Sequence, residues 1–440
     1  MNAQRRIVKA MIALLLASLP QYAQSTALAK LPAPRPLAAP DQPVDWLFIF
    51  KFNSATFPNQ ICAGSEPVTD SPGIFGGTVK AYKKGEHSQQ YAYATSKSPK
   101  LVRGDGCVGA TLNDPLGATF AQIYDKSGYH YVLWNDQFYD HPIASKGSPA
   151  GHSKGMAVWN DDGEGFVLQV STPSWPGSGS KDHPRQNDGN TLGCIIDDDV
   201  EVSQHFFALK LTKADLVAVL HALANASVVT SQDRAELVQN GGPADVQAIV
   251  KTLGPESSSV TCTMAKLSTG VQLISKPSKM AAPPWQLASG KLDGLPLRAA
   301  TWWATPMIYS TNSKTKIENW PASVNKPGPV AIATSGTWNG SPIGLTGGEG
   351  PDHNHAKIGV STDKAKPLCI FSDLNQQGAL RTGYAHPGQP MTSSQNGRGG
   401  TFYVLENQEL FNSLSDLLKG NTAPEDLANG EEKPRPRRHQ

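Results

Sequence analysis

Two stretches lying far apart in the chain share one plan, and this repeat constrains the fold more than any other feature of the sequence. In the first, Gly151-His-Ser-Lys154 leads into Gly155-Met-Ala-Val-Trp159, turns at Asn160-Asp-Asp-Gly-Glu-Gly165, returns through Phe166-Val-Leu-Gln-Val170 and stops at Ser171-Thr-Pro173. In the second, His355-Ala-Lys357 leads into Ile358-Gly-Val360, turns between Thr362 and Pro367, returns through Leu368-Cys-Ile-Phe371 and stops at Ser372-Asp-Leu-Asn375. Each reads as strand, turn, strand, polar stop. Ser171 follows His152 by 19 residues and Asn375 follows His355 by 20. Side chains two apart on a strand share a face, so each His is expected beside its own Lys. A duplicated hairpin of this kind places both pairs around one cleft.

The rest of the chain frames the repeat. With 41 Gly and 34 Pro among 440 residues, 39% hydrophobic and 17% charged, it reads as a globular, loop-rich chain with more strand than helix. Trp46-Leu-Phe-Ile-Phe50 and Tyr131-Val-Leu-Trp134 have the composition of buried strands. Residues 1–29 read as an export signal: Arg5, Arg6 and Lys9 precede an apolar run from Met11 to Leu19, and Ala27-Leu-Ala29 fits a cleavage site. That run is shorter than the roughly 20 residues a bilayer span needs. The expectation is a secreted or periplasmic protein with no stable membrane insertion. Residues 30–43, carrying Pro32, Pro34, Pro36, Pro40 and Pro43, read as a Pro-rich leader. A first half is expected over 44–215 and a second over 255–418. Between them, 216–254 reads as a helical connector, from the spacing of Leu216, Val219, Leu220, Leu223, Leu237, Val246, Ile249 and Val250. Residues 419–440 read as a disordered tail.

The formal net charge is only +2, so any grip on a polyanion has to come from local clusters of Lys and Arg. Cys62, Cys107, Cys194, Cys262 and Cys369 are widely spaced and form no CxxC pair, which argues against a zinc or thioredoxin-like site. Up to two disulfides are possible, with their pairing open.

Two His and two Lys are a complete set for phosphodiester chemistry without a metal. A neutral imidazole attacks phosphorus, a protonated one donates to the leaving oxygen, and two ammonium groups hold the non-bridging oxygens. One neutral and one charged ring coexist most readily at mildly acidic pH. Which His attacks is not decided by the residues. His353, two residues from His355, raises a metal-ligand reading that lacks a third ligand; no metal or other cofactor is expected. Asn160-Asp-Asp-Gly-Glu-Gly165 reads as a hairpin turn and not as a calcium loop. Trp134, Trp302, Trp303 and Trp338 are candidates for base stacking or, more simply, for the core. Basic residues at 97–103 and 181–185 either track phosphates or form solvated surface.

The sequence resembles deoxyribonuclease II, within a broader phospholipase D-like architecture. The resemblance is carried by Gln42-Pro-Val-Asp-Trp46, Trp134-Asn-Asp-Gln137, Gly151-His-Ser-Lys-Gly155, Ser171-Thr-Pro173 with Pro176, Asn190-Thr-Leu-Gly-Cys194, His355-Ala-Lys357, Asp373-Leu-Asn375 and Arg398-Gly-Gly-Thr401, in the family's order. It implies an α/β pseudo-dimer of two mixed-sheet halves, each giving one His-x-Lys. It further implies a metal-independent, acid-favouring endodeoxyribonuclease leaving 3'-phosphate ends. Carried over by motif, His152, Lys154, His355 and Lys357 would be catalytic, with Asn375, Asp373 and Ser171 on the substrate side. Asn375 would donate to phosphate, and Asp373 would orient a histidine, help close the fold or be a plain turn carboxylate. Analogy with related two-half enzymes favours His152 as nucleophile and His355 as acid. Val170 stands where animal members carry a further histidine. The partner would be DNA, with an oligomer allowed but not required. The alternatives are a phosphodiesterase of lipid or other small diesters and a DNA-binding protein without catalysis.

Overall fold

Apolar runs without polar alternation form strands covered on both faces, and the strands that carry the repeat are of this kind. The computed structural model describes residues 30–57, 90–106, 108–109, 113–124, 128–137, 143, 146–173, 201–235, 237–303, 308–381 and 394–425. Its first sheet contains β1 (Trp46–Lys51), β2 (Tyr91–Thr95), β3 (Ser98–Arg103), β4 (His130–Asn135), β5 (Lys154–Trp159), β6 (Gly165–Val170), β7 (Gln204–Leu211) and β8 (Val238–Gln239). Helix α1 (Pro115–Tyr124) precedes β4; α2 (Lys213–Asn225) follows β7, and α3 (Ala244–Val250) follows β8. The second sheet contains β9 (Thr263–Lys266), β10 (Gln272–Lys276), β11 (Leu297–Ala300), β12 (Val330–Ile332), β15 (Ile358–Ser361), β16 (Leu368–Ser372) and β17 (Gly400–Glu406). Strands β13 (Ser335–Trp338) and β14 (Ser341–Gly344) pair apart from it; α4 (Pro284–Lys291) precedes β11 and α5 (Gln408–Leu417) follows β17.

The first sheet is antiparallel, in the order β3-β2-β1-β7-β6-β5-β4-β8. The second runs β12-β11-β15-β16-β17-β10-β9 and is mixed, because β11 and β12 are parallel. Strand for strand, β4-β5-β6-β7-β1-β2 in one sheet matches β11-β15-β16-β17-β10-β9 in the other. A helix enters before β4 as before β11, and another leaves after β7 as after β17. The fold is therefore α/β with few helices, and its sheets follow one plan over their central strands.

The two sheets meet through aromatic side chains. Phe371 of β16 stacks on Phe207 of β7 at 4.3 Å between ring centres and on Phe48 of β1 at 4.8 Å, with Tyr403 of β17 tilted against Phe207. One apolar core runs through both sheets. A second lies around Trp285 of α4 and Phe402 of β17. Helix α2 opens with a reciprocal cap between Thr212 and Asp215 and packs on strands of both sheets, among them β6 and β10.

Both hairpins form where their spacing places them. Between β5 and β6 the backbone N–H of Asn160 donates to Glu164 O and that of Gly163 to Asn160 O, with Gly163 at φ +78°. This is a turn, as the sequence predicts.

The leader lies on the fold: Leu37 exchanges hydrogen bonds with the Thr119 hydroxyl, and the Arg35 backbone with the Gln122 side chain, both on α1. Two segments differ from expectation. Within 216–254, Val238–Gln239 is a strand paired with β4, so the segment is not helical throughout. Residues 419–425 are ordered, with Ala423 buried and bridges from Thr422 to Ala333 and from Glu425 to Ser310. The export signal expected at 1–29, the basic cluster at 181–185 and residues 426–440 lie outside the described residues. So do Cys62, Cys107 and Cys194; Cys262 and Cys369 are buried free thiols, which leaves at most one disulfide where the sequence allowed two. Among the described residues no helix is long and apolar enough to cross a membrane.

Candidate active site

His152 stands just before β5, where the chain passes from loop to strand. Its backbone N–H donates to Gly399 O at 2.8 Å, and its ring Nδ1 lies 2.6 Å from Asp373 O. A carbonyl oxygen has no proton to give, so Nδ1 carries the hydrogen, and in the neutral ring Nε2 keeps a lone pair. The side-chain amide of Asn375 donates to that Nε2 at 3.3 Å. Burial, then the Lys154 ammonium, push the His152 pKa well below its usual value, against an opposing pull from Asp136; Arg398 and Lys357 add to the depression. The ring is thus held neutral, with its lone pair on a defined atom.

Lys154, at the start of β5, is buried and donates to Asp136 Oδ1 at 2.8 Å. The second oxygen of Asp136 accepts from Arg398 at 2.8 Å, and the same guanidinium reaches the carbonyls of Lys146, Ala150 and Gly151. Burial alone would raise the Asp136 pKa, but the Lys154 and Arg398 charges hold it below the usual carboxylate range. This buried ion pair satisfies both oxygens, the condition under which such pairs persist.

Asp373 does two things at once. Its carbonyl fixes the His152 ring, while its carboxylate Oδ2 accepts from Ser153 Oγ at 2.8 Å and from the hydroxyl and backbone N–H of Thr401 at 2.6 and 3.1 Å. Burial raises this carboxyl to about 6, against the lowering effect of those donors and Lys154. It is thus not a plain turn carboxylate. Ser153 also accepts from Trp134 Nε1 at 2.9 Å, which makes Trp134 a buried structural partner.

His355 and Lys357 enter from the other sheet. The His355 backbone N–H donates to Ser203 O at 2.8 Å, and its ring faces the edge of Trp302, 5.9 Å between centres at 82°. Lys357 Nζ lies 3.5 Å from Ser171 O, and its backbone N–H donates to His205 Nδ1 at 3.1 Å. Ser171 uses its hydroxyl on the Gln204 side chain and the His205 backbone. Its place is structural as well as close to Lys357. The two His-x-Lys segments therefore meet, with the His152 ring bonded to the second half and Lys357 to the first.

Asp136, Arg398, His205, Ser153 and Thr401 were not singled out from the sequence as site residues. Asp136 and Arg398 lie inside the motif stretches, which was the signal available. His205 is fully buried; burial and Lys357 push its pKa well below normal, and among the described residues its Nε2 has no hydrogen-bond partner. His353 pairs with Asp352 at 2.8 Å, and among the described residues no group of three or more His, Cys, Asp or Glu is placed to hold a metal ion. Of the other tryptophans, Trp303 is buried and Trp338 packs on the core. Lys97 precedes the edge strand β3, which carries Lys100 and Arg103, with Arg103 over the Phe57 ring and bonded to Gln90.

No curated protein matches the chain. The family model for deoxyribonuclease II matches residues 78–289. That segment contains His152, Lys154, Asp136, Ser171 and His205; His355, Lys357, Asp373 and Asn375 lie beyond it. Over that segment the chain is similar to the deoxyribonuclease II family.

Proposed function

We propose that the chain is a secreted or periplasmic endodeoxyribonuclease that cuts DNA without a metal, on a phospholipase D-like pseudo-dimer. The observation that carries this reading is the neutral His152 ring, held through Nδ1 by Asp373 O, with its Nε2 lone pair facing the Asn375 amide. His152 Nε2 attacks phosphorus as the bond from phosphorus to the 5'-oxygen breaks, and protonated His355 gives its proton to that oxygen. The result is a phosphohistidine bearing the 3'-side of the strand. Water then attacks phosphorus, His355 takes its proton, and the N–P bond breaks to leave a 3'-phosphate. Lys154, Lys357 and the Asn375 amide bind the equatorial oxygens, where charge spreads in the transition state. Preference for acid follows from the need for a charged His355 opposite a neutral His152. The matched strand orders support the pseudo-dimer reading.

Nicking of supercoiled plasmid in excess EDTA across pH 4 to 8 tests this. The expected outcome is cleavage that survives chelation, peaks in acid and falls by about 10²–10⁴-fold or more in His152→Ala and His355→Ala. Cleavage abolished by EDTA, or indifferent to either substitution, sinks the mechanism. No cleavage at any pH brings forward lipid or small-diester hydrolysis, or DNA binding without catalysis.

A further inference from the structure

Two buried lysines outside the His-x-Lys pairs occupy matched places. Lys51 ends β1 and Lys276 ends β10, the strands that correspond in the two sheet orders, and both are fully buried. Lys51 Nζ donates to Val202 O at 2.7 Å and to Phe52 O at 3.2 Å. Lys276 Nζ donates to Arg398 O at 2.7 Å and to Asn396 O at 2.8 Å. The registers agree as well: Lys51 pairs with Gln204 and Lys276 with Gly400, each two residues beyond the carbonyl that its lysine grips.

The residue between grip and strand is the one that matters. After Val202 comes Ser203, whose carbonyl accepts the backbone N–H of His355; after Arg398 comes Gly399, whose carbonyl accepts that of His152, both at 2.8 Å. We propose that Lys51 and Lys276 are paired positioning residues: each fixes, in its own half, the loop that holds the histidine of the other half. Burying an ammonium carries a desolvation penalty that an apolar side chain would not incur. At Lys276 the cost is visible, since burial pushes its pKa down to about 7. An apolar residue would take these donors from Val202 O and Arg398 O and leave the loop free to shift. Each lysine grips a backbone carbonyl one residue from the histidine's anchor, so its effect on chemistry is indirect.

The kinetic part of the test rests on the nuclease reading; the spectroscopic part does not. Full-length protein labelled with 15N-histidine is compared with Lys276→Met and Lys51→Met, with His152→Ala and His355→Ala assigning the imidazole signals. Lys276→Met is expected to move the His152 ring signal and leave that of His355, and Lys51→Met to do the reverse. Each lowers kcat for plasmid cleavage by about 10- to 100-fold with little change in KM. Lys276→Arg, which keeps a donor, recovers part of the loss. If a Met variant does not fold, Lys276→Gln and Lys51→Gln take its place in the same comparison. Variants that lose thermal stability but leave both rings at their parental positions overturn the proposal, as do variants that move both rings alike. Should the parent not cut DNA, the nuclease reading fails while the ring signals still decide the matter.

Discussion

The proton on the His152 ring is placed by a backbone carbonyl, and Asp373, which supplies that carbonyl, is itself a buried acid. Burial lifts its carboxyl from 3.8 to about 6. The neutral form is therefore favoured in the folded state, and the stability it adds is complete below the ordinary carboxyl range and disappears as pH rises through about 6. Asp373→Asn removes this dependence. In urea unfolding from pH 3.5 to 7, the parent should lose on the order of 2–3 kcal/mol relative to the variant between pH 4 and 6; parallel profiles would show that Asp373 titrates alike in the folded and unfolded protein. Single residues were legible to the extent that chemistry needs their type. His152, Lys154, His355 and Lys357 stood out because the same two residue types recur at the same spacing in two matching hairpins. Asp136 and Arg398 did not stand out, because a carboxylate and a guanidinium are ordinary surface residues until the fold buries them face to face.

Among the elements, the two hairpins were the most legible. Their apolar runs are short, their turns are marked by Gly, Asn, Asp or Pro, and their polar stops fall at nearly the same offset. The contacts of the leader and of residues 419–425 were not legible for a physical reason. A Pro-rich composition says that a segment lacks regular hydrogen bonding, not that it lacks a surface to lie on, and Leu37 finds its partner in Thr119. The loop before β17 shows how close such packing becomes. A Cβ added to Gly399 would stand 2.2 Å from Ala226 O, at the C-terminal cap of α2. The neighbour is backbone and cannot rotate away. Gly399→Ala is therefore expected to displace the carbonyl that holds His152, lowering kcat for DNA cleavage by about 100-fold while the protein still folds. A variant with parental kcat would show that the helix end yields instead.

For the whole molecule, local pattern gave the α/β class and a two-part reading, but not the strand order. Order depends on pairings between distant residues, such as β1 with β7, which no local window contains. The aromatic contact of Phe371 with Phe48 and Phe207 joins the sheets through one core. Phe371→Ala is expected to cost about 3–5 kcal/mol and to lower a single unfolding transition seen alike by near-ultraviolet circular dichroism and tryptophan fluorescence. Two separated transitions would mean that the sheets unfold independently.

The crossed anchoring of the histidines has a consequence for exchange between molecules. Because Gly399 of one half holds His152 of the other, and Ser203 holds His355 in return, a complete site needs one half of each kind but not from the same chain. Two copies that traded halves would carry two sites, each assembled from both chains. If one copy lacked His152 and the other His355, one of those shared sites would be wholly intact and the other doubly crippled, so two inactive chains refolded together could complement each other.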